Sequence, residues 1–263
     1  ILTDKIPKEL SGFRIVLFSD THNANKKECR KIKAFIDSAK PDIVIFGGDA
    51  VTQVRWYKDP KHGTSNALDL ITDVAQKYPL YFANGNHEKR LERRSQGLGY
   101  YAKFVQGLKD AGVHFLSNKS ELVADGKLRI SGLDLAYPYY KTDEDPPAEV
   151  EISEYLGKAR DDVYEILIAH TPVFFETYAS WGADLVLSGH MHGGVVRLPQ
   201  GRGAFSPYGR FFTKYAYGRF SIGKTNMIVS SGASDHGARL SMINPTEVVV
   251  INLIKEEQDG TGD

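Results

Sequence analysis

The sequence predicts an α/β fold built on strands that are covered on both faces. Near-continuous apolar, β-branched runs recur along the chain: RIVLFSDTH (14–22), DIVIFGGD (42–49), LYFANGNHE (80–88), EILIAHTP (165–172) and ADLVLSGHMH (183–192). Runs that show no polar alternation suit strands with neighbouring layers on both sides. Helical patterns lie between them, and alternation of the two element types is the mark of an α/β architecture. Hydrophobic residues make up 41% of the chain, enough for a sizeable core.

Taken in order, the strand from Arg14 leads into a helix over 25–39, whose Cys29, Ile32, Phe35, Ile36 and Ala39 fall on one stripe with charges opposite. Residues 66–77 and 98–110 repeat that pattern, and HEKRLERR (87–94) reads as a solvated, charged helix face, with a phosphate-gathering rim of Lys89, Arg90, Arg93 and Arg94 as the alternative. The later chain is richer in strands. LVADGKLRISGLDLAY (122–137) reads as a hairpin, and TNMIVSSG (225–232) and EVVVINLI (247–254) as two further strands. The acidic segment KTDEDPPAEVE (141–151) reads as a solvated loop. Residues 202–220 interleave Arg202, Arg210, Lys214 and Arg219 with seven aromatics. That segment reads as a hairpin packing its rings on the domain, with a rim for an anionic, partly apolar substrate as the alternative.

No linker divides the 263 residues, so a single domain over 1–263 is expected, with a disordered tail over 256–263. Thirty-three basic residues balance thirty-three acidic ones, which gives no global attraction to nucleic acid or anionic membrane. The single cysteine, Cys29, excludes an intramolecular disulfide and falls on an apolar stripe, which reads as core. No run approaches the ~20 apolar residues of a membrane-spanning helix. Because the chain starts at Ile1, residues upstream are expected to have been removed, an N-terminal anchor among the segments that could have preceded it.

The chemistry lies at the ends of the strands, where ligands sit in open α/β sheets. Five runs end in Asp20 and His22, Asp49, Asn86 and His87, His170, and His190 and His192. One such histidine beside a core strand is unremarkable. Five strands that each end in metal-binding side chains are not explained by packing, because unpaired polar groups near a core are costly. Gly47-Gly48, Gly85, Gly189 and Gly193-Gly194 flank these positions and permit close backbone approach. Successive residues of an extended chain point to opposite sides, which is expected to bring His190 and His192 to the site while Met191 packs inward. Asp134 and Asp235-His236 lie in strand-end or loop contexts and stay outside the ligand set.

In this order, Asp20-x-His22, Gly48-Asp49, Gly85-Asn86-His87-Glu88, His170 and Gly189-His190-x-His192 resemble the motif series of the calcineurin-like metallophosphoesterase superfamily. HGGVVRLP (192–199), Tyr217-Gly218 and NPTEVVVINL (244–253) are similar to its small bacterial members that often carry an N-terminal membrane anchor. Thr52 departs from the Asp or His usual three residues after the bridging Asp, which touches support of the site rather than its ligands. The resemblance implies a four-layer α-β-β-α sandwich with mixed sheets. It also implies two divalent metal ions (Mn, Fe or Zn): Asp20, His22 and His192 on one, Asn86, His170 and His190 on the other, and Asp49 bridging both. A water shared by the ions would attack phosphorus in line, and His87 would protonate the leaving oxygen.

The expected function is hydrolysis of a phosphomonoester, phosphodiester or pyrophosphate, on a phosphorylated small molecule or a lipid-linked phosphate. The alternatives are a nuclease of the same chemistry, a scaffold that keeps the fold without turnover, and a hydrolase of lipid-linked pyrophosphate or nucleotide-lipid at a membrane surface. A cytoplasmic location is expected, with membrane association where residues upstream of Ile1 supply an anchor.

Overall fold

Each apolar run becomes a short strand, and the strands assemble into two sheets. The computed structural model describes residues 1–22, 24–51, 66–141, 150–194, 196–205, 211–234 and 246–257. Thr52, the Asp235-His236 pair, most of the acidic segment and the end of the tail lie outside the described residues.

The first sheet runs in the order β1 (Leu2–Thr3), β14 (Val249–Lys255), β2 (Phe13–Phe18), β3 (Ile43–Phe46), β4 (Leu80–Phe82) and β5 (His114–Phe115). From β2 to β5 the strands are parallel, and β14 joins β2 antiparallel. The second sheet runs β12 (Gly218–Ile222), β13 (Thr225–Val229), β9 (Leu185–Ser188), β8 (Tyr164–Ala169), β7 (Leu128–Leu133) and β6 (Lys119–Val123). Its four inner strands are parallel and its two edges antiparallel, with β6 and β7 forming the hairpin read from the sequence. A separate antiparallel ribbon pairs β10 (Gly203–Phe205) with β11 (Phe211–Thr213).

Strand alternation sorts the apolar runs between layers. Ile15, Leu17, Ile43, Ile45 and Tyr81 of the first sheet meet Ile130, Ile166, Ile168, Leu185 and Leu187 of the second. Their sequence neighbours Val16, Phe18, Val44, Phe46 and Phe82 face outward. There they pack on Ile32 and Ile36 of α1 (Lys26–Ala39), Leu70 and Ile71 of α2 (Asn66–Ala75), and Phe104 and Leu108 of α4 (Tyr100–Asp110). Outside the second sheet, Leu167, Val186 and Met227 pack on Ile152 of α5 (Ile152–Leu156) and on Phe175 and Tyr178 of α6 (Phe175–Trp181). The result is the expected four-layer α-β-β-α sandwich with mixed sheets. Each fully buried aliphatic side chain contributes about 1.5–3 kcal/mol relative to exposure.

In α1, Asn25 accepts the amides of Lys27 and Glu28 while Glu28 accepts the Asn25 amide, a reciprocal cap that sets where the helix starts. The expected stripe is corrected at one position: Phe35 is 44% exposed. It lies about 90° from the centre of the face formed by Cys29, Ile32 and Ile36, so the sheet does not reach it. The segment 202–220 packs its described rings on the domain, as expected, and keeps Arg202, Lys214 and Arg219 at the surface. Tyr215 packs against Phe175 and Phe220, Lys214 pairs with Glu176 at 2.9 Å, and Arg219 donates to Asn226 at 2.7 Å.

Among the described residues, no helix is long and apolar enough to cross a membrane. The C-terminal ends of β2, β3, β4, β8 and β9 lie at one edge of the sandwich, and the chemistry sits there.

Candidate metal centre

Beyond these five strand ends the chain turns sharply. Asp20, His22, Asp49, His190 and His192 all adopt left-handed backbone, with φ of 54°, 38°, 61°, 72° and 49°. Non-glycine residues rarely adopt that conformation, and it costs each about 1–2 kcal/mol. Here it bends each loop back over the sheet edge so that its side chain points to a common centre. For His190 and His192 these turns correct the arrangement that strand alternation alone would give, both imidazoles on one side: beyond Ser188 the two join different groups. Met191 between them is fully buried.

Three groups of potential ligands form: Asp20 with His22 and His192; His22 with Asp49 and His87; and Asp49 with His170 and His190. In the first, Asp20 Oδ1 lies 3.7 Å from Nε2 of His22 and 3.7 Å from Nε2 of His192, and those two nitrogens are 3.3 Å apart. Ligand atoms about 2.1 Å from one tetrahedral ion are separated by about 3.4 Å, so the triangle has the right size for a metal. Asp49 Oδ2 is common ground for the other two, 3.3 Å from His170 Nε2 and 3.9 Å from Nε2 of both His22 and His87.

Asn86 opens α3 (Asn86–Arg94) between Gly85 and His87, both of which pack on Asp49. Its Oδ1 is buried with no hydrogen-bond partner among the described residues. An oxygen in that position costs free energy unless something binds it. This orphan, the ligand triangle and the mixed carboxylate, amide and imidazole donors fit divalent metals of the Mn, Fe and Zn type.

Each ligand is oriented by its surroundings. Gly47 O accepts the His170 Nδ1 proton at 2.6 Å, which leaves Nε2 facing Asp49 and Asp20. Ser19 donates to Asp20 Oδ2, and the His87 amide to Asp49 Oδ1 at 2.8 Å, so the opposite oxygen of each carboxylate faces the imidazoles. A Cβ on Gly48 (φ 96°) would strike Gly85 and the His170 ring, each at 2.7 Å, and one on Gly85 would collide with Asp49. Only glycine lets these loops touch.

Glu88 ties the loops together. Its Oε2 accepts the amides of Asp49 and Gly85, each at 2.8 Å, and its Oε1 accepts Ala50 at 2.8 Å and Val51 at 3.4 Å. Burial and the nearby Asp49 charge push its pKa up to about 7, while the surrounding N–H donors favour the carboxylate. The sequence motif contains Glu88 without disclosing this clasp. Nor does it disclose that Tyr140, from the 3-10 turn Tyr137–Lys141, places its ring 6.0 and 5.9 Å from those of His170 and His190.

The electrostatics suit a cation. Burial opposes ionisation of Asp20 and Asp49, yet His192 and His170 around the first and His170 and His87 around the second hold both pKa values below the usual carboxylate range. Burial opposes a charge on His170 as well, but the two carboxylates push its pKa up to about 10. His190, desolvated and beside His170, drops to about 3. His170, Asp20 and Asp49 are sealed, whereas the side chains of His22, His87 and His192 keep 9%, 21% and 20% of their exposure. Those three therefore mark the solvent side of the centre. Asp134 lies apart from the three groups, buried and accepting from Asn84 at 2.9 Å and Ser117 at 2.6 Å.

A two-sheet sandwich with carboxylates and imidazoles gathered at its strand ends has the donors of a metal-dependent enzyme. Residues 13–194, more than half of the chain, match the family model of the calcineurin-like phosphoesterases, and the chain belongs to that family. It is 26% identical over 264 residues to the uncharacterized metallophosphoesterase YkuE of Bacillus subtilis, covering 96% of this chain and 83% of that one. It is 24% identical over 246 residues to the phosphodiesterase YaeI of Escherichia coli, covering 92% and 82%. Against the metallophosphoesterase Cj0846 of Campylobacter jejuni it is 28% identical and spans only 61% of the relative's length. Among solved structures, a dimetal phosphatase from Danio rerio shares the fold with a TM-score of 0.50 at 13% identity, covering 93% of each chain.

Proposed function

We propose that the chain hydrolyses phosphomonoesters, phosphodiesters or pyrophosphates at a dinuclear centre in which Asp20, His22 and His192 hold one divalent ion, Asn86, His170 and His190 hold the other, and Asp49 serves both. The observation that carries this reading is Asp49 Oδ2, which lies 3.9 Å from His22 Nε2 of one set and 3.3 Å from His170 Nε2 of the other. When bound, such a pair of ions acidifies a shared water and neutralises charge on the phosphoryl group.

The protein's own part is orientation and proton supply. Gly47 O fixes the His170 tautomer, and the Glu88 clasp holds the Asp49 and Asn86 loops against each other. His87 stands on the solvent side with its backbone anchored to Asp49, placed to give a proton from Nε2 to the departing oxygen. Burial keeps the His87 pKa below the ordinary imidazole value, so its protonated form is a minority species at neutral pH and a correspondingly stronger acid.

The test combines elemental analysis with turnover of p-nitrophenyl phosphate, bis(p-nitrophenyl) phosphate and pyrophosphate, before and after chelation. Two ions per chain and activity restored by manganese are expected, and the panel decides among the three bond types. His87→Ala should lower hydrolysis of phenyl phosphate by about 10²–10⁴-fold while sparing nitrophenyl esters, whose leaving group needs little protonation. A single ion at saturating manganese, or no turnover of any ester, refutes the reading.

A further inference from the structure

We propose that Arg90, Arg93 and Tyr137 form a subsite at the mouth of the metal centre that holds a second anionic group of the substrate, a phosphoryl or carboxylate unit beyond the scissile phosphorus. The inference rests on the phosphoester-hydrolase reading of that centre.

The geometry begins with α3, which runs outward from the ligands. Arg90 lies three residues after His87, so the two side chains leave the same face about 4.5 Å apart along the axis. Packed against this helix is the 3-10 turn that follows β7. Its Tyr140 packs against the rings of His170 and His190, and its Tyr137 meets Arg90. Arg90 and Tyr137 thus link a helix of the first sheet to a loop of the second.

Both guanidinium groups converge on one ring. Arg90 Nε and Nη2 donate to the Tyr137 hydroxyl at 3.0 and 2.6 Å. The guanidinium carbons of Arg90 and Arg93 each lie 5.3 Å from the Tyr137 ring centre. Two like charges gathered around one ring repel, and a phenol cannot offset them. Neither arginine has a carboxylate within ion-pair distance among the described residues. Lys89 on the same helix shows the contrast, with Glu92 at 2.6 Å and Asp134 at 3.3 Å.

A structural arginine pair would be expected to find acids as Lys89 does. This pair instead gathers on a ring, half-buried at Arg90 and exposed at Arg93, on the helix that opens with Asn86 and His87. The N–H groups that Arg90 does not give to Tyr137, together with the Arg93 guanidinium, match the oxygens of phosphate and carboxylate, and Tyr137 holds both arginines before the ligand arrives.

The test compares methylphosphonate, which carries one anionic group, with methylenediphosphonate and phosphonoacetate, which carry two. Binding to the manganese-loaded protein is read by calorimetry and by competition against p-nitrophenyl phosphate turnover. In the unaltered protein the second group should tighten binding about tenfold or more, as one charge-assisted contact does. In the double variant R90A/R93A that advantage should fall below about threefold, with phosphonoacetate showing whether carboxylate serves as well as phosphonate. R93A alone, at an exposed position, should lose part of the advantage without disturbing the fold. The proposal is overturned if the double variant keeps the full advantage, as chelation of the ions alone would leave it, or if the unaltered protein shows none. Turnover of p-nitrophenyl phosphate by the unaltered protein reports separately on the hydrolase reading, and calorimetry still reads the subsite if that turnover is absent.

Discussion

Replacing Glu88 by glutamine tests whether one carboxylate holds two ligand loops together. The substitution keeps the shape and converts one acceptor oxygen into an NH2 donor. Because Oε2 receives Asp49 and Gly85 and Oε1 receives Ala50 and Val51, any orientation of the amide sets its donor against two N–H groups. The cheaper orientation gives up Ala50 at 2.8 Å and the long contact to Val51 at 3.4 Å. One good charge-assisted bond lost, with a buried donor facing another donor, comes to about 2–4 kcal/mol. Glu88 is fully buried, so solvent screening does not reduce that figure. Against a total stability of about 5–15 kcal/mol the variant should still fold. Urea unfolding followed by circular dichroism should show the loss in the metal-free protein, and elemental analysis should show fewer than two ions per chain. A change below about 0.5 kcal/mol together with full metal content would mean that the clasp does not hold the loops.

Two further outcomes follow from the backbone and the core. With metal absent, His190→Gly should be more stable than His190→Ala by up to about 1 kcal/mol, because both lack the imidazole and only alanine must adopt φ near 72° with a Cβ; greater stability of the alanine variant in urea would contradict the strain. Burial, with Glu28 and Asp69 nearby, pushes the Cys29 thiol up to about 11; at pH 8 about one thiol in a thousand is then ionised, so Ellman's reagent should react slowly with native protein and fully after denaturation, and rapid native reaction would contradict it.

The strands were legible because their apolar runs are long relative to the elements they form, as Ile15 to Phe18 and Ile43 to Phe46 show. Which residues face which layer was not, since Ile15 and Val16 are equally apolar and only assembly separates the intersheet core from the helix-covered side. Strand order was also hidden. β14 enters beside β2 from the far end of the chain, and the two-residue strands β1 and β5 are too short to leave a pattern. At the site, residue type and position after a strand were enough to single out Asp20, His22, Asp49, Asn86, His87, His170, His190 and His192. The left-handed turns that aim five of them, the Glu88 clasp and the meeting of Arg90 with Tyr137 depend on distances between loops, which composition and spacing do not encode.

These hidden features explain one another. Asp20 and Asp49 are buried side by side, an arrangement that is unfavourable unless positive charge lies between them. The loops that carry them cannot relax apart: the Gly48 amide carbonyl accepts from Asp20 N at 2.9 Å, the Asp49 carbonyl from His22 N at 3.2 Å, and Glu88 binds the far side of the Asp49 turn. Left-handed backbone at both aspartates adds strain that those hydrogen bonds must outweigh. The fold therefore maintains a preformed concentration of negative charge at its sheet edge. In the metal-free chain the two carboxylates favour a proton on His170, whose Nε2 lies 3.9 and 3.3 Å from them. A divalent ion answers the same demand more fully, so the strain in the loops and the charge of the centre have a common cause: a site shaped for cations before they bind.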